Sequence, residues 1–112
     1  MPEPDVMVVR GDRRQYRDRL PRAEDVGLVV EVSDASLAGD QTFKKIIYAQ
    51  AGIPCYWLVN LIEQRVEQYT DPTGLGENAD YGQRRDYSPA DEISLVLDGC
   101  HIATIPVRDL LP

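Results

Sequence analysis

The stretch of residues 27–60 constrains the fold of this chain more than any other part of the sequence. It reads GLVVEVSDASLAGDQTFKKIIYAQAGIPCYWLVN and contains an apolar strand pattern, a polar loop, an amphipathic helix pattern, a Gly–Pro stop and a second apolar strand pattern. A strand, a helix and a strand with short connections typically form a right-handed crossover between parallel neighbours. We therefore expect a partly parallel sheet with a helix packed on it.

Further strand patterns flank this stretch on both sides. Residues 65–70 alternate apolar and polar side chains and follow the preceding strand across a turn, so we expect this pair to be antiparallel. The turn signal Asp98-Gly99 predicts a two-residue hairpin near the C-terminus. The predicted strands outside the central stretch are residues 5–9, 65–70, 83–87, 93–97 and 100–107.

The remaining segments are rich in polar residues, proline and glycine. Residues 13–25 are expected to form a loop with one helical turn. Residues 71–82 contain a proline and three glycines and are expected to form a flexible surface loop. The closing Asp-Leu-Leu-Pro sequence predicts one further helical turn.

Length and composition predict one globular domain over residues 1–112. This length suffices for one modest core, and 43% hydrophobic with 28% charged residues is typical of a soluble protein. No apolar run approaches the roughly 20 residues that a membrane span requires, and the N-terminus lacks the basic start of a signal peptide. We therefore expect a cytoplasmic protein without a membrane partner.

The net charge of −7 argues against simple, non-specific nucleic-acid binding, because a basic face supplies most of that affinity. It is compatible with a metal-dependent phosphodiesterase, whose acidic site first recruits cations. Positive charge is concentrated in residues 10–22, which contain six arginines. Solvated surface is the simplest explanation of these arginines, and contact with a DNA backbone is the alternative.

The two cysteines and the single histidine are not expected to carry chemistry. Cys55 and Cys100 do not form a CxxC pair, and both are predicted to be small buried apolar residues. His101 lies in an alternating apolar run and is interpreted as structural.

The predicted helix carries two neighbouring lysines in different positions relative to its apolar side. Asp40 or Thr42 is expected to cap it. At the helical period, Lys44 falls about 85° from the centre of the apolar stripe, whereas Lys45 falls nearly opposite, in solvent. The residues of the apolar stripe are Phe43, Ile46, Ile47 and Ala51.

Glu31 interrupts the Val-rich strand at a position where packing alone would not put a charge. Alternation places it on one face of the strand with Val29 and Ser33, and a buried carboxylate requires an ionic partner or a cation. Candidate partners are Lys44 and a metal ion, which Asp5 could share. Two carboxylates, a backbone carbonyl and waters suit Mg²⁺ or Mn²⁺.

Two interpretations of these three residues remain open. In the first, Asp5 and Glu31 hold the cation while Lys44 orients the attacking water or stabilises negative charge on a phosphate. In the second, Glu31 and Lys44 form a structural ion pair and Asp5 merely starts a strand. The spacing by itself favours the structural interpretation.

Three segments together resemble the Uma-two family of restriction endonucleases, within the PD-(D/E)XK nuclease superfamily. The segments are EPDVMVVRGD, LVVEVSDASLAGDQTFKKIIYAQAGIPCYWLVNL and TIPVRDLLP. The resemblance covers nearly the whole chain. The residues in register with the family are Pro4-Asp5, Glu31-Val32-Ser33, Asp40, Lys44, Tyr48, Ala51-Gly52 and Tyr56-Trp57.

The resemblance implies an α/β, restriction-endonuclease-like fold: a mixed sheet flanked by helices, with the active site at one edge. It implies that Asp5 and Glu31 bind a divalent cation. The superfamily's lysine usually stands two residues after the second acid, where this chain has Ser33, and the family implies that Lys44 supplies it from the helix. Cys55 departs from the acid that is typical of the family before Tyr-Trp.

The family also implies a helix and strands before the Pro-Asp strand, where this chain begins almost at once. An uncovered sheet would favour a homodimer. Taken together, the sequence predicts a metal-dependent endonuclease that hydrolyses DNA phosphodiester bonds, with Asp5, Glu31 and Lys44 as catalytic residues. The alternatives are a catalytically inactive remnant that acts as an interaction or assembly module, and a small-molecule or nucleotide hydrolase with the same metal site.

Overall fold

Seven strands and one α-helix follow one another along the part of the chain that the structure describes. This computed structural model describes residues 4–11, 13–17, 19–34 and 38–111, with all their side chains except those of residues 13, 15 and 38–41. The elements are β1 (Val6–Val9), β2 (Val26–Ser33), α1 (Ala38–Gln50), β3 (Cys55–Asn60), β4 (Arg65–Thr73), β5 (Asp80–Tyr87), β6 (Glu92–Leu97) and β7 (Cys100–Pro106). Short 3-10 turns lie at Arg13–Tyr16, Ala23–Asp25, Gly76–Asn78 and Val107–Asp109.

Strands β1 to β5 form one mixed sheet in chain order. β2 and β3, which α1 connects, are parallel, whereas the other neighbours in the sheet are antiparallel. β6 and β7 form a separate hairpin, closed by Asp98 and Gly99 with φ of 51° and 80°, as a two-residue turn of this kind requires. These pairings confirm the predicted crossover, hairpin and α/β class, and the architecture is consistent with a restriction-endonuclease-like fold.

Two hydrophobic cores cover the opposite faces of the sheet. Val29 of β2 lies in the core beneath α1, while its neighbours Leu28 and Val30 lie in the core beneath the β6–β7 hairpin. This confirms the predicted alternation and explains why β2 is apolar on both faces. On the helix side the core contains a tyrosine cluster, whose neighbouring ring centroids lie 5.4–6.2 Å apart; its members are Tyr48, Tyr56, Tyr69 and Tyr81.

Helix α1 packs on the sheet through a face that the sequence did not predict. Phe43 of the expected apolar stripe is 63% exposed, whereas Tyr48 and Ala49 on another side of the helix are buried. Lys45, expected in solvent, forms an ion pair with Asp80 at 3.3 Å (Nζ to Oδ1). The predicted packing face was wrong because the sheet presents carboxylates and tyrosine hydroxyls to the helix. The side of the helix that carries the lysines can bind these groups, so that side packs on the sheet.

The predicted start of α1 was also wrong. The helix begins at Ala38, so Asp40 and Thr42 lie inside it rather than at the N-cap. The side chain of Asp40 is outside the described part of the structure.

Half of the segment predicted as a flexible loop, residues 71–82, belongs to strands. β4 continues to Thr73 and β5 begins at Asp80, which places Asp80 beside α1. The chain can reverse between them because Gly74 adopts φ of 78°, and a Cβ at this position would lie 2.3 Å from the carbonyl oxygen of Asn78. Glycine therefore marks a tight turn here rather than a flexible segment.

Candidate active site

Glu31 lies in β2 on the face toward α1 and is only 3% exposed. Two residues of the helix bond to its carboxylate: the Lys44 ammonium donates to Oε2 at 3.1 Å, and the Tyr48 hydroxyl donates to Oε1 at 2.7 Å. Burial of an ionised carboxylate is costly, and these two donors offset that cost. Lys44 is therefore an ionic partner of the kind that a buried Glu31 was predicted to require.

Lys44 and Tyr48 contact the same carboxylate because residues four apart share one face of a helix. Tyr48 is fully buried in the tyrosine cluster. Burial, followed by the hydrogen bond to Glu31 and the negative charge of Glu31, raises the pKa of Tyr48 above its ordinary value. Tyr48 consequently remains a protonated hydrogen-bond donor to Glu31 at neutral pH.

Asp5 lies at the exposed mouth of the same site, immediately before β1. Its Oδ2 accepts a hydrogen bond of 2.7 Å from the backbone N–H of Val32. Because Val6 pairs with Val30 in an antiparallel ladder, Asp5 comes opposite Glu31. The charge of Asp5 also contributes to the raised pKa of Tyr48, which places that charge near the Tyr48 hydroxyl.

The three sequence-predicted residues Asp5, Glu31 and Lys44 thus come together at one edge of the sheet. Among the described residues, no group of three or more His, Cys, Asp or Glu side chains is arranged to hold a metal ion. Two carboxylates nevertheless match the usual Mg²⁺ site, in which one or two carboxylates act with waters and substrate phosphates. Each Glu31 oxygen accepts one donor in the structure and can accept a second ligand.

A second buried carboxylate, which the sequence did not single out, lies on the same face of the sheet. Glu67 of β4 is 4% exposed and accepts hydrogen bonds from the Tyr69 hydroxyl, from Asn60 Nδ2 at 3.1 Å and from Arg65 Nε at 3.1 Å. One terminal nitrogen of Arg84 lies 3.2 Å from Glu67 Oε1, the oxygen that also accepts from Tyr69. We refer to these residues as the Arg65–Glu67–Arg84 cluster.

The environment of Glu67 keeps it ionised. Burial by itself raises the pKa of Glu67, but the hydrogen bonds from Tyr69, Asn60 and Arg65 and the charge of Arg84 outweigh it, so the pKa is lowered. A signal for this carboxylate was present in the sequence. The alternation of RVEQYT puts Arg65, Glu67 and Tyr69 on one side of a strand, and a glutamate on the side of a buried tyrosine requires partners.

The arginine-rich segment of residues 10–22 starts at the end of β1 that is remote from Asp5. Asp5 precedes β1, whereas Arg10 follows it, so the segment begins at the opposite end of the strand. Arg10 forms an ion pair with Asp98 at 2.8 Å and Arg19 forms one with Asp25 at 2.7 Å. The expectation that these arginines are all solvated surface was wrong for both, because each neutralises a carboxylate within the fold.

The cysteines and the histidine stay outside the site, as expected, but Cys100 is not buried. Burial raises the pKa of the Cys55 thiol to about 11, so it is not a nucleophile at neutral pH. Cys100 is exposed next to the hairpin turn. His101 is also exposed, and its Nε2 lies 2.8 Å from the Thr104 hydroxyl.

The comparison that decides the family is a match over residues 1–104 to the model of the Uma2 family, described as "Putative restriction endonuclease". The chain belongs to the Uma2 family. This confirms the resemblance that the sequence motifs indicated. No curated protein matches the chain in a sequence search. In the described part of this Uma2 protein, no helix combines the length and apolar character of a membrane span.

Proposed function

We propose that this Uma2 protein is a metal-dependent endonuclease that hydrolyses phosphodiester bonds of DNA. The observation that carries the proposal is the convergence of Lys44, Tyr48 and Asp5 on the buried Glu31 at one edge of the sheet. Family membership supports it as well, because the family model is described as "Putative restriction endonuclease". The proposed substrate is a DNA strand that lies along this edge.

In the proposed site, Asp5 and Glu31 hold a divalent cation, Mg²⁺ or Mn²⁺. Their oxygen ligands are the type that these hard cations prefer. When bound, the cation supplies electrostatic stabilisation of the charge that builds up on the phosphoryl oxygens. Asp5 is exposed to incoming substrate, while the hydroxyl of Tyr48 fixes the orientation of the Glu31 carboxylate.

Lys44 is the proposed cationic catalytic residue. Its side chain is 25% exposed and its Nζ lies 3.1 Å from Glu31, so the ammonium group bridges the buried carboxylate and the open edge of the site. From this position it can donate a hydrogen bond to the attacking water or to a phosphate oxygen. The contact with Glu31 holds the ammonium group in place between these partners.

Plasmid nicking tests this proposal. Purified wild-type protein is expected to nick supercoiled plasmid with Mg²⁺ or Mn²⁺ and not with EDTA, and Glu31→Ala and Lys44→Ala are expected to abolish nicking. Lys45→Ala is the matched control, because it removes the neighbouring lysine, whose partner is Asp80, and should retain activity. Equal activity of Lys44→Ala and wild type would contradict the proposed role of Lys44.

A catalytically inactive interaction module is the second candidate function. It is favoured by the contacts of both Glu31 oxygens, one with Lys44 and one with Tyr48, because a structural ion pair is expected to have the same geometry. Large apolar side chains exposed on α1 and β1 agree with it, notably Phe43 at 63% and Val6 at 51%. A folded wild-type protein that nicks no plasmid with either cation would favour this candidate.

Comparing substrates tests the third possibility, a small-molecule or nucleotide hydrolase. A nuclease is expected to cleave plasmid DNA much faster than short phosphodiesters, since extended DNA adds contacts outside the reacting phosphate. Faster turnover of the short phosphodiesters would assign the site to small substrates instead.

A further inference from the structure

The Arg65–Glu67–Arg84 cluster contains buried charge that the proposed reaction at Glu31 does not use. Its place in the sheet is fixed by the strand register: Glu31 pairs with Leu58 of β3, and Leu58 pairs with Glu67 of β4. Both glutamates therefore project from the same face, with one strand between them. At about 4.8 Å per strand spacing, their backbones lie about 10 Å apart.

In each of the two arginines of the cluster, part of the guanidinium group contacts a carboxylate while the side chain remains partly exposed to solvent. Arg65 uses its Nε for Glu67, and its side chain is 37% exposed. Arg84 directs its Nε to Asp86 and one terminal nitrogen to both Asp86 and Glu67, and its side chain is 46% exposed. A guanidinium group carries five N–H donors, so both side chains retain donors for a further anionic ligand.

Glu67 determines the orientation of these guanidinium groups. It is buried and ionised, and it accepts from Arg65 through one oxygen and lies within ion-pair distance of Arg84 through the other. The remaining carboxylate at Arg84, Asp86, is 44% exposed, and such exposed ion pairs contribute little net free energy. A phosphate can therefore replace the Asp86 contact without disrupting the buried part of the cluster.

We propose that Arg65 and Arg84 bind a phosphate of the DNA backbone close to the one that is cleaved, and that Glu67 is the positioning residue for both. The proposal rests on the proposed nuclease function. Guanidinium groups recognise phosphates through paired N–H donors, which suits this fixed geometry. This distance of about 10 Å is short on the scale of a DNA strand, which rises about 3.4 Å per nucleotide along the helix axis, so one bound strand can contact both places.

The sequence of β5 provides a matched control for this inference. Arg84 and Arg85 are neighbours and therefore point to opposite faces of the sheet. Arg85 lies on the hairpin side, with its guanidinium 5.1 Å from the centroid of the Tyr87 ring. Arg84→Gln and Arg85→Gln each remove one positive charge from the same strand, but only the first removes it from the face of the proposed site.

The test is the affinity for a fluorescently labelled DNA duplex, measured by anisotropy at several salt concentrations in EDTA to prevent cation-dependent cleavage. Arg84→Gln and Arg65→Gln are each expected to weaken binding about tenfold at low salt, since a charge-assisted hydrogen bond is lost. Each should also reduce the slope of log K against log salt by about 0.9. Arg85→Gln should change neither quantity.

Arg84→Lys separates positioning from charge. It keeps the positive charge but loses the paired donors, so it should restore the salt slope while leaving affinity below that of wild type. Full recovery of affinity would overturn the role of the guanidinium geometry.

Four other outcomes decide against the inference. Equal losses in Arg84→Gln and Arg85→Gln would show general surface charge rather than a site. Losses confined to Arg14→Gln and Arg17→Gln would place the duplex at the arginine-rich segment. If wild type nicks plasmid, and Arg65→Gln and Arg84→Gln bind and nick DNA as well as wild type, the inference fails while the nuclease function stands. If wild type neither binds nor nicks DNA, both the inference and the nuclease function are refuted.

Discussion

The substitution Tyr48→Phe tests the most unusual feature of the site, a hydroxyl that donates to a fully buried carboxylate. The ring of Tyr48 would remain in the tyrosine cluster, so packing is preserved, and the only loss is the 2.7 Å hydrogen bond to Glu31 Oε1. Lys44 would remain as the other donor, on Oε2. The substitution therefore isolates one charge-assisted hydrogen bond.

The expected magnitude follows from the charge of the acceptor. A hydrogen bond to a charged group contributes about 1.5–3 kcal/mol, against about 0.5–1.5 kcal/mol for a neutral pair. Tyr81→Phe is the matched control, because the Tyr81 hydroxyl donates at 2.8 Å to a neutral acceptor, the backbone carbonyl of Ile53. We expect Tyr48→Phe to destabilise the protein by about 2 kcal/mol and Tyr81→Phe by about 1 kcal/mol.

Urea denaturation followed by circular dichroism measures this difference. With an m-value of about 1.5 kcal/mol per M, the unfolding midpoint should fall by about 1.3 M for Tyr48→Phe and about 0.7 M for Tyr81→Phe. Equal shifts, or a smaller shift for Tyr48→Phe, would refute the conclusion that the hydroxyl stabilises the buried Glu31 carboxylate. Unchanged m-values would show that both variants unfold from an equally compact native state.

Three further predictions concern ionisation and reactivity. The hydrogen bond from the Arg19 side chain, followed by that from the backbone N–H of Arg22, lowers the pKa of Asp25 from 3.8 to about 2. The contribution of Asp25 to stability is thus present above pH 3.8 and is lost as pH falls toward 2. In Asp25→Asn, the urea midpoint should therefore depend less on pH in that window than it does in wild type. Burial raises the pKa of every member of the tyrosine cluster above 10.0, so stability should fall as pH rises above 10, and absorbance at alkaline pH should show these tyrosines ionising only as the chain unfolds; free ionisation in the native state would contradict this. Iodoacetamide should label Cys100 and spare Cys55 in the folded protein, and mass spectrometry that finds Cys55 modified first would refute the burial argument.

The sequence predicted the order and type of the main elements because those depend on local patterns. The apolar run around Glu31 and the helix after it carry their own periodicity, and the faces of β2 followed directly from alternation. The extension of β4 and β5 could not be read in this way. Their outer residues are polar, and pairing with a distant strand, rather than local pattern, holds them in place.

The candidate site shows where local patterns stop being informative. Lys44 was identified correctly as the partner of Glu31, but the reason based on the apolar stripe was wrong, since Phe43 of that stripe is exposed. A helical pattern shows which side of a helix is apolar but not which groups the sheet presents to it. Once Glu31 and Glu67 both face α1, the lysine-bearing side becomes the complementary one.

The contacts of Glu67 could not be predicted from the sequence, because they form only where β3, β4 and β5 pair in the observed register. Its partner Asn60 lies in β3, 7 residues earlier in the sequence. Its partner Arg84 lies in β5, on the far side of the hairpin that joins β4 to β5. Such a network becomes visible only when the pairing of β3, β4 and β5 is known. Alternation could indicate only the partners on the same strand, Arg65 and Tyr69, each two residues away from Glu67.

Cation binding tests the central claim, that Asp5 and Glu31 form a metal site, more directly than any other measurement. In a calorimetric titration of Mn²⁺ into the purified protein, we predict one ion bound per chain, with binding lost in Glu31→Gln and weakened in Asp5→Asn. Glu67→Gln is the matched control, since it alters the other buried glutamate on the same face and should keep the ion. No binding by folded wild type, or undiminished binding by Glu31→Gln, would contradict the account.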